Sequence, residues 1–217
     1  MISHVYIKDG KLLDYCDNSW HFQDTNTNET TGVSDPTGGS GAIHVAPYHF
    51  PICSKLNNKK DSKFLSLDFY YKLEALNQVS GSAVFYSIGP EGSGYGECLT
   101  ARNNALLVDD GVSSKTLVSN MKELLELNKW NHIKITWDKA NGYCKAEING
   151  TKYINKNASY YISNNYFSTN VNYIGTWTYA PRYGINTATA DYYDFKLYDS
   201  DIIGWDYKTI GNIQSYY

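Results

Sequence analysis

The sequence lacks several features, and each absence removes a class of function. Its 4 cysteines (Cys16, Cys53, Cys98 and Cys144) stand singly, without a Cys-x-x-Cys pair, so zinc-ribbon and dithiol redox chemistry have no foothold. Without an export segment, free thiols are expected rather than disulfides. No run of Lys and Arg occurs. Lys59 and Lys60, with Lys55 and Lys63 nearby, are interrupted by Asp61 and read as a solvated loop. With a formal net charge of -3, the chain offers nucleic acid no basic footprint. No apolar stretch reaches the roughly 18 residues of a membrane helix, so membrane insertion is not expected. Residues 1–10 carry no apolar export segment. A Gly-x-Ser-x-Gly elbow and a phosphate loop are absent too. Residues 89–96 are glycine-rich, but no Lys and helix follow to use a phosphate.

Tyrosine is abundant, at 21 residues beside 5 Trp and 7 Phe. Tyr suits a pleated, half-buried surface, with an apolar ring and a polar tip. Asparagine is also common and suits turns because it tolerates left-handed backbone. The pair fits an all-β chain with many loops. The same bias arises from an AT-rich genome and is then neutral about function.

Residues 130–153 carry the clearest local signal. Ile133, Ile135 and Trp137 alternate with His132, Lys134 and Thr136, so one set faces a core and the other does not. After a turn at residues 138–142, Cys144, Ala146 and Ile148 alternate with Tyr143, Lys145 and Glu147. Asn149-Gly150 then favours a tight hairpin turn. This is a β-meander. Elsewhere, Leu65, Leu67, Phe69, Tyr71 and Leu73 share a strand face. Strands are predicted at 15–22, 42–45, 82–88, 98–102, 105–108, 171–179 and 191–198, and one or two helical turns at 121–127. Residues 24–41, rich in Thr, Asn, Gly and Ser, read as a long loop. His44 and His49 read as surface or strand-end residues. Strands separated by turn signals every 8–12 residues or so argue for a sandwich, and no helices alternate with them. The expectation is an all-β, antiparallel β-sandwich with little helix, in one domain spanning 1–217.

The ordered pieces resemble the concanavalin A-like, laminin-G-like jelly-roll family. The matching pieces are Trp130-Asn-His-Ile-Lys-Ile-Thr-Trp137, Ala146-Glu-Ile-Asn-Gly150, Ile174-Gly175 and Asp194-Phe-Lys-Leu-Tyr-Asp199, in that order. The likeness spans about residues 12–203, with residues 1–14 as an N-terminal arm and 202–217 as an aromatic tail. It implies a jelly roll more firmly than any one function, because that fold carries lectins, glycosidases and adhesive modules.

Glycosidases of this fold set two Glu and an Asp on one strand, so that the period of two aims them into a cleft. The glutamates here (Glu29, Glu74, Glu91, Glu97, Glu123, Glu126 and Glu147) form no such set, and a non-enzyme is expected. Sugar binding needs aromatic faces for C–H surfaces and polar partners for hydroxyls. Trp177, Tyr179, Arg182, Tyr183 and Asn186 are the candidate glycan contacts. A second aromatic stretch is Tyr160, Tyr161 and Tyr166, with Asn164 and Asn165. Trp205, Tyr207, Tyr216 and Tyr217 are candidate partner contacts. No cofactor or metal is indicated. Calcium, found in some members of the family, would have only Asp35, Asp109 and Asp110 to use.

Laminin-G-like modules work outside cells, yet no export segment appears. A virion protein of a phage with a low-GC host meets both conditions. The leading expectation is a virion surface protein of a tail, baseplate or head decoration, repeated as a homo-oligomer. Its partners would be host-surface polysaccharide and other virion proteins. The alternatives are a purely structural virion protein and a bacterial cell-surface adhesin module.

Overall fold

A computed structural model describes residues 1–24, 32–56, 64–74, 82–89, 97–102, 105–109, 114–138, 141–155, 171–176 and 189–204. Among them the strands, labelled in chain order, form two antiparallel sheets. Sheet A runs β14 (Thr151–Asn155), β13 (Tyr143–Ile148), β12 (Asn131–Asp138), β7 (Phe64–Leu73), β16 (Ala190–Tyr198), β1 (Ser3–Lys8) and β2 (Lys11–Asp14). Beside this path, β5 (Ala42–Val45) pairs with β16 and β4 (Gly32–Val33) pairs with β5. Sheet B runs β11 (Ser114–Ser119), β10 (Ala105–Asp109), β9 (Glu97–Arg102), β8 (Ser82–Gly89), β15 (Val171–Ile174), β6 (His49–Cys53) and β3 (His21–Asp24). A single helical turn, α1, covers Met121–Leu124. The fold is the expected all-β sandwich.

The core follows from the period of two. Leu65, Leu67, Phe69, Tyr71 and Leu73 on β7 are all fully buried, as are Ile133, Ile135 and Trp137 on β12. Phe69 sits at the centre, with ring centroids 5.3 Å from Phe85 of sheet B and 5.4 Å from Phe195 of β16. Burying a side chain of this size stabilises by about 1.5–3 kcal/mol from area alone. The Ile174-Gly175 motif acquires a physical reason here. Gly175 has φ +80, and a Cβ on it would lie 2.5 Å from Cγ1 of Val45, so only glycine fits this close approach.

Three expectations change at the N-terminal end. Residues 1–14 are not an arm: β1 lies inside sheet A between β16 and β2, with Ile2, Val5 and Ile7 in the core. Its hairpin to β2 turns on Asp9 and Gly10, both at positive φ. Of the strand expected at 15–22, residues 21 and 22 open β3, while 15–20 form a crossover from β2 in sheet A to β3 in sheet B. Asp14 fixes it by accepting hydrogen bonds from the amides of His4 (3.2 Å) and Cys16 (2.6 Å), from Asn18 Nδ2 (3.0 Å) and from the Ser3 hydroxyl. These local acceptors compete with a strand ladder.

The third change concerns the 24–41 loop, of which 25–31 lie outside the described residues. The remainder contains β4 and a turn built on Asp35. Its carboxylate accepts from the Thr37 amide (2.8 Å), the Thr37 hydroxyl (2.6 Å), the Gly39 amide (3.1 Å) and the Gly41 amide (2.9 Å). A Cβ at Gly39 would sit 2.7 Å from Asp35 Oδ2, which explains a glycine there. The Asp35 oxygens thus fasten a loop. Burial alone would push this carboxyl up in pKa, but those donors outweigh it and hold it below the usual carboxylate range.

Cys16, Cys53 and Cys144 are free thiols. His49, expected at the surface or a strand end, opens β6, where it is fully buried and stacks on Phe22 with centroids 4.3 Å apart.

Candidate functional site

The side chains on the other face of sheet A, opposite the core, form rows across the strands. Register sets His132 of β12 beside Tyr70 of β7, and Tyr70 beside Tyr193 of β16. Such directly opposed side chains are the nearest neighbours on a sheet face. His132 and Tyr70 stack, with centroids 4.5 Å apart and planes 10° from parallel. Tyr193 lies 6.1 Å from Tyr70, and Trp130 meets Tyr193 edge-on at 6.3 Å. These rings are half-buried, so they stand on the sheet with part of their surface in water. Favourable aromatic pairs contribute about 0.5–1.5 kcal/mol each, enough to hold ring orientations in advance of a ligand.

Charged rows flank the rings on both sides. On one side Lys72 Nζ lies 5.9 Å over the Trp130 ring and 3.5 Å from Asp191 Oδ2, while His44 Nδ1 is 2.8 Å from Asp191 Oδ1. On the other, His132 Nε2 is 2.7 Å from Asp68 Oδ1, and Lys134 is 3.6 Å from Glu147. Asp194 takes His4 Nε2 at 2.7 Å and also pairs with Lys196. Because a carboxylate only accepts, Nε2 of His132 carries the proton and Nδ1 is left as an acceptor when the ring is neutral. Among the described residues, the Trp130 indole N–H, the Tyr70 hydroxyl and His132 Nδ1 make no hydrogen bond.

The backbone of β16 shapes the middle of this face. Residues 190–192 pair with β5, whereas 195–197 pair with β1. The ladder to β7 shifts register between Tyr193 and Lys196, and Asp194 has φ 55, a left-handed conformation that Asp tolerates better than most residues. The bulge sits where the partner strand changes, and there the Asp194 carboxylate reaches His4 and Lys196. The Asp35 loop borders Tyr193: a Cβ on Gly41 would lie 3.6 Å from its ring. Burial pushes the Tyr193 hydroxyl up in pKa, with the Asp35 and Asp194 carboxylates adding to the effect and a Thr37 hydrogen bond opposing it. Past Asp194, a second ring cluster continues onto β1 and β2. Tyr6 and Tyr15 stack at 4.3 Å, and His4 lies 4.7 Å from Tyr15.

Of the residues expected to act, Trp177, Tyr179, Arg182, Tyr183 and Asn186 lie outside the described residues, as do Trp205, Tyr207, Tyr216 and Tyr217 and the Tyr160–Tyr166 stretch. The aromatic rows of sheet A went unpredicted as a site. The signal was in the alternation, because Tyr70 and Tyr193 occupy the polar phase of strands whose other phase is core. What the sequence withheld was the register that brings them and His132 into one row.

Fold and face together define a jelly-roll-type antiparallel β-sandwich with an aromatic, charge-paired surface on one sheet. No family model and no curated protein matches the chain. Solved structures do resemble it. The botulinum neurotoxin serotype D binding domain is 18% identical, with a TM-score of 0.63, over 93% of this chain and 48% of that one. The receptor-binding domain of the botulinum neurotoxin C/D mosaic serotype is 17% identical with a TM-score of 0.61, and the serotype G binding domain 17% with 0.60. Each of these two matches covers 93% of this chain and 48% of the other. The chain therefore spans about half the length of these structures, and the likeness is one of fold.

Proposed function

We propose that this protein is a non-enzymatic adhesion module that binds carbohydrate on a host surface, displayed on a virion. The observation that carries the binding reading is the row of half-exposed rings on sheet A beside hydrogen-bonding groups that make no bond among the described residues. Sugars present C–H faces to aromatic rings and hydroxyls to polar partners, and this surface offers both. That the similar solved structures are binding domains of toxins supports a recognition role. The absence of a Glu/Asp/Glu strand set from the sequence supports a non-enzyme. The virion setting rests on composition. The residues Trp177, Tyr179, Arg182, Tyr183 and Asn186 remain proposed contacts on their chemistry alone, as do Trp205, Tyr207, Tyr216 and Tyr217 for neighbouring subunits. Weak single sites would be multiplied by repetition on a particle.

The test is retention of a multivalent form of the protein on bacterial cell-wall polysaccharide. Binding without hydrolysis is the expected result. Failure to bind, together with stoichiometric incorporation into particles, would favour the purely structural virion role. Release of reducing sugar would refute the non-enzymatic reading.

A further inference from the structure

The rings and charged groups of sheet A carry a more specific inference, which rests on the carbohydrate reading above. We propose that this face binds consecutive units of a neutral polysaccharide laid across strands β12, β7 and β16. Trp130, Tyr70 and Tyr193 take the apolar faces of the sugar rings. The Trp130 N–H, the Tyr70 hydroxyl and His132 Nδ1 hold the hydroxyls.

Three observations select this ligand. The first is extent. Neighbouring strands lie about 4.8 Å apart, so rings on β12, β7 and β16 span about 10 Å, and the Tyr6–Tyr15 cluster on β1 and β2 extends the track to about 19 Å. That length suits a chain of linked sugars rather than one monosaccharide. The second is charge. Asp68, Asp191, Asp194 and Glu147 are each paired with His132, with His44 and Lys72, with His4 and Lys196, and with Lys134. Lys72, Lys196 and Lys134 are thus each neutralised by a carboxylate, and beside a neutral His132 the Asp68 carboxylate keeps its negative charge, which disfavours a polyanion such as teichoic acid or nucleic acid. The third is complementarity. Trp130 supplies a donor, neutral His132 an acceptor and Tyr70 either, which matches hydroxyl groups that both donate and accept. The ion pairs and ring stacks fix these groups before the ligand arrives, so less conformational freedom is lost on binding.

The experiment is binding of the full chain to an array of immobilised neutral polysaccharides (glucan, galactan, mannan and rhamnan), with teichoic acid and heparin as anionic comparators. Variants that keep the wild-type near-ultraviolet circular dichroism are compared. Binding to at least one neutral polysaccharide is expected, strengthening with the length of its free oligosaccharides. Trp130→Ala and Tyr70→Ala should each weaken it about tenfold, and Tyr70→Phe by less, because it keeps the ring. Arg182→Ala and Tyr183→Ala, at the other proposed contacts, are measured beside them. Binding lost in Arg182→Ala and Tyr183→Ala but kept in Trp130→Ala and Tyr70→Ala would overturn this face as the site while leaving the carbohydrate reading intact. Binding to the anionic probes alone would overturn the neutral ligand. No binding to any probe by a multivalent form would overturn both.

Discussion

Two pairs of residue rows, one pair from each sheet, behave differently under the same geometry. Across sheet A, His132, Tyr70 and Tyr193 are half-buried, while their sequence neighbours on the opposite face, Asn131, Tyr71 and Tyr192, are at most 2% exposed. Across sheet B, Ile52, Tyr173 and Ser87 form one row and Cys53, Asn172 and Ile88 the row on the other face. All six are buried, none more than 5% exposed. Sheet A has a dry face and a wet one, whereas the centre of sheet B is dry on both. A strand buried on both faces needs internal partners for its polar groups, and in sheet B Tyr86 donates to Asn172 at 2.5 Å and Ser87 to the Thr176 carbonyl at 2.6 Å. Sheet A is free to spend its outer face on recognition.

The contrast predicts unequal responses to truncation. Ile52→Ala in sheet B should destabilise by about 2–4 kcal/mol through lost burial and an unfilled cavity. Tyr70→Ala in sheet A should cost about 1 kcal/mol, chiefly its ring contacts. Urea unfolding of the two variants checks the order, and equal losses would remove the distinction between the faces.

Next comes the loop that borders the sheet A face. Asp35→Ala should destabilise by about 2–3 kcal/mol, because it strands amides that now donate to a charged acceptor. The pH dependence has a definite sign. The folded carboxyl titrates below its unfolded value, so its stabilisation is complete above about pH 4 and fades as pH falls through the folded value. Asp35→Asn should flatten that part of the acid limb, as followed by thermal melts between pH 2 and pH 6 or so.

Within sheet A, adjacent tyrosines sharpen the comparison. The Tyr71 hydroxyl is buried and has no hydrogen-bond partner among the described residues, and burial, reinforced by the Asp191 carboxylate, pushes it up in pKa. Tyr71→Phe should therefore be neutral or stabilising by up to about 1 kcal/mol, whereas Tyr70→Phe should leave stability unchanged and weaken ligand binding. Smallest of all, Lys134→Ala removes a partly exposed pair with Glu147 and should change stability by less than about 0.5 kcal/mol.

Legibility in the sequence divides along the same line. Alternation gave the strands of sheet A and their core residues, because polar or half-buried residues separate the members of Leu65 through Leu73 and of Ile133 through Trp137. It failed on His49–Cys53, where both phases are buried and no alternation marks the strand. The Thr/Gly-rich composition of residues 24–41 concealed the Asp35 turn, since four donors converging on one carboxylate leave only an Asp and scattered glycines as a trace. The proposed binding face was half legible. Tyr70, Trp130 and His132 are visible as polar-phase residues, but their assembly with Tyr193 depends on the non-local pairing of β7 with both β12 and β16. The bulge at Asp194, which breaks the alternation of β16, hid its part as well.

The most direct measurement follows the ring signals of Tyr and Trp by NMR as a bound neutral oligosaccharide is titrated in. The Trp130 indole and the Tyr70 and Tyr193 rings should shift, while Trp137, fully buried in the core, stays still. Saturable binding with unmoved Trp130, Tyr70 and Tyr193 signals would contradict the assignment of recognition to this face.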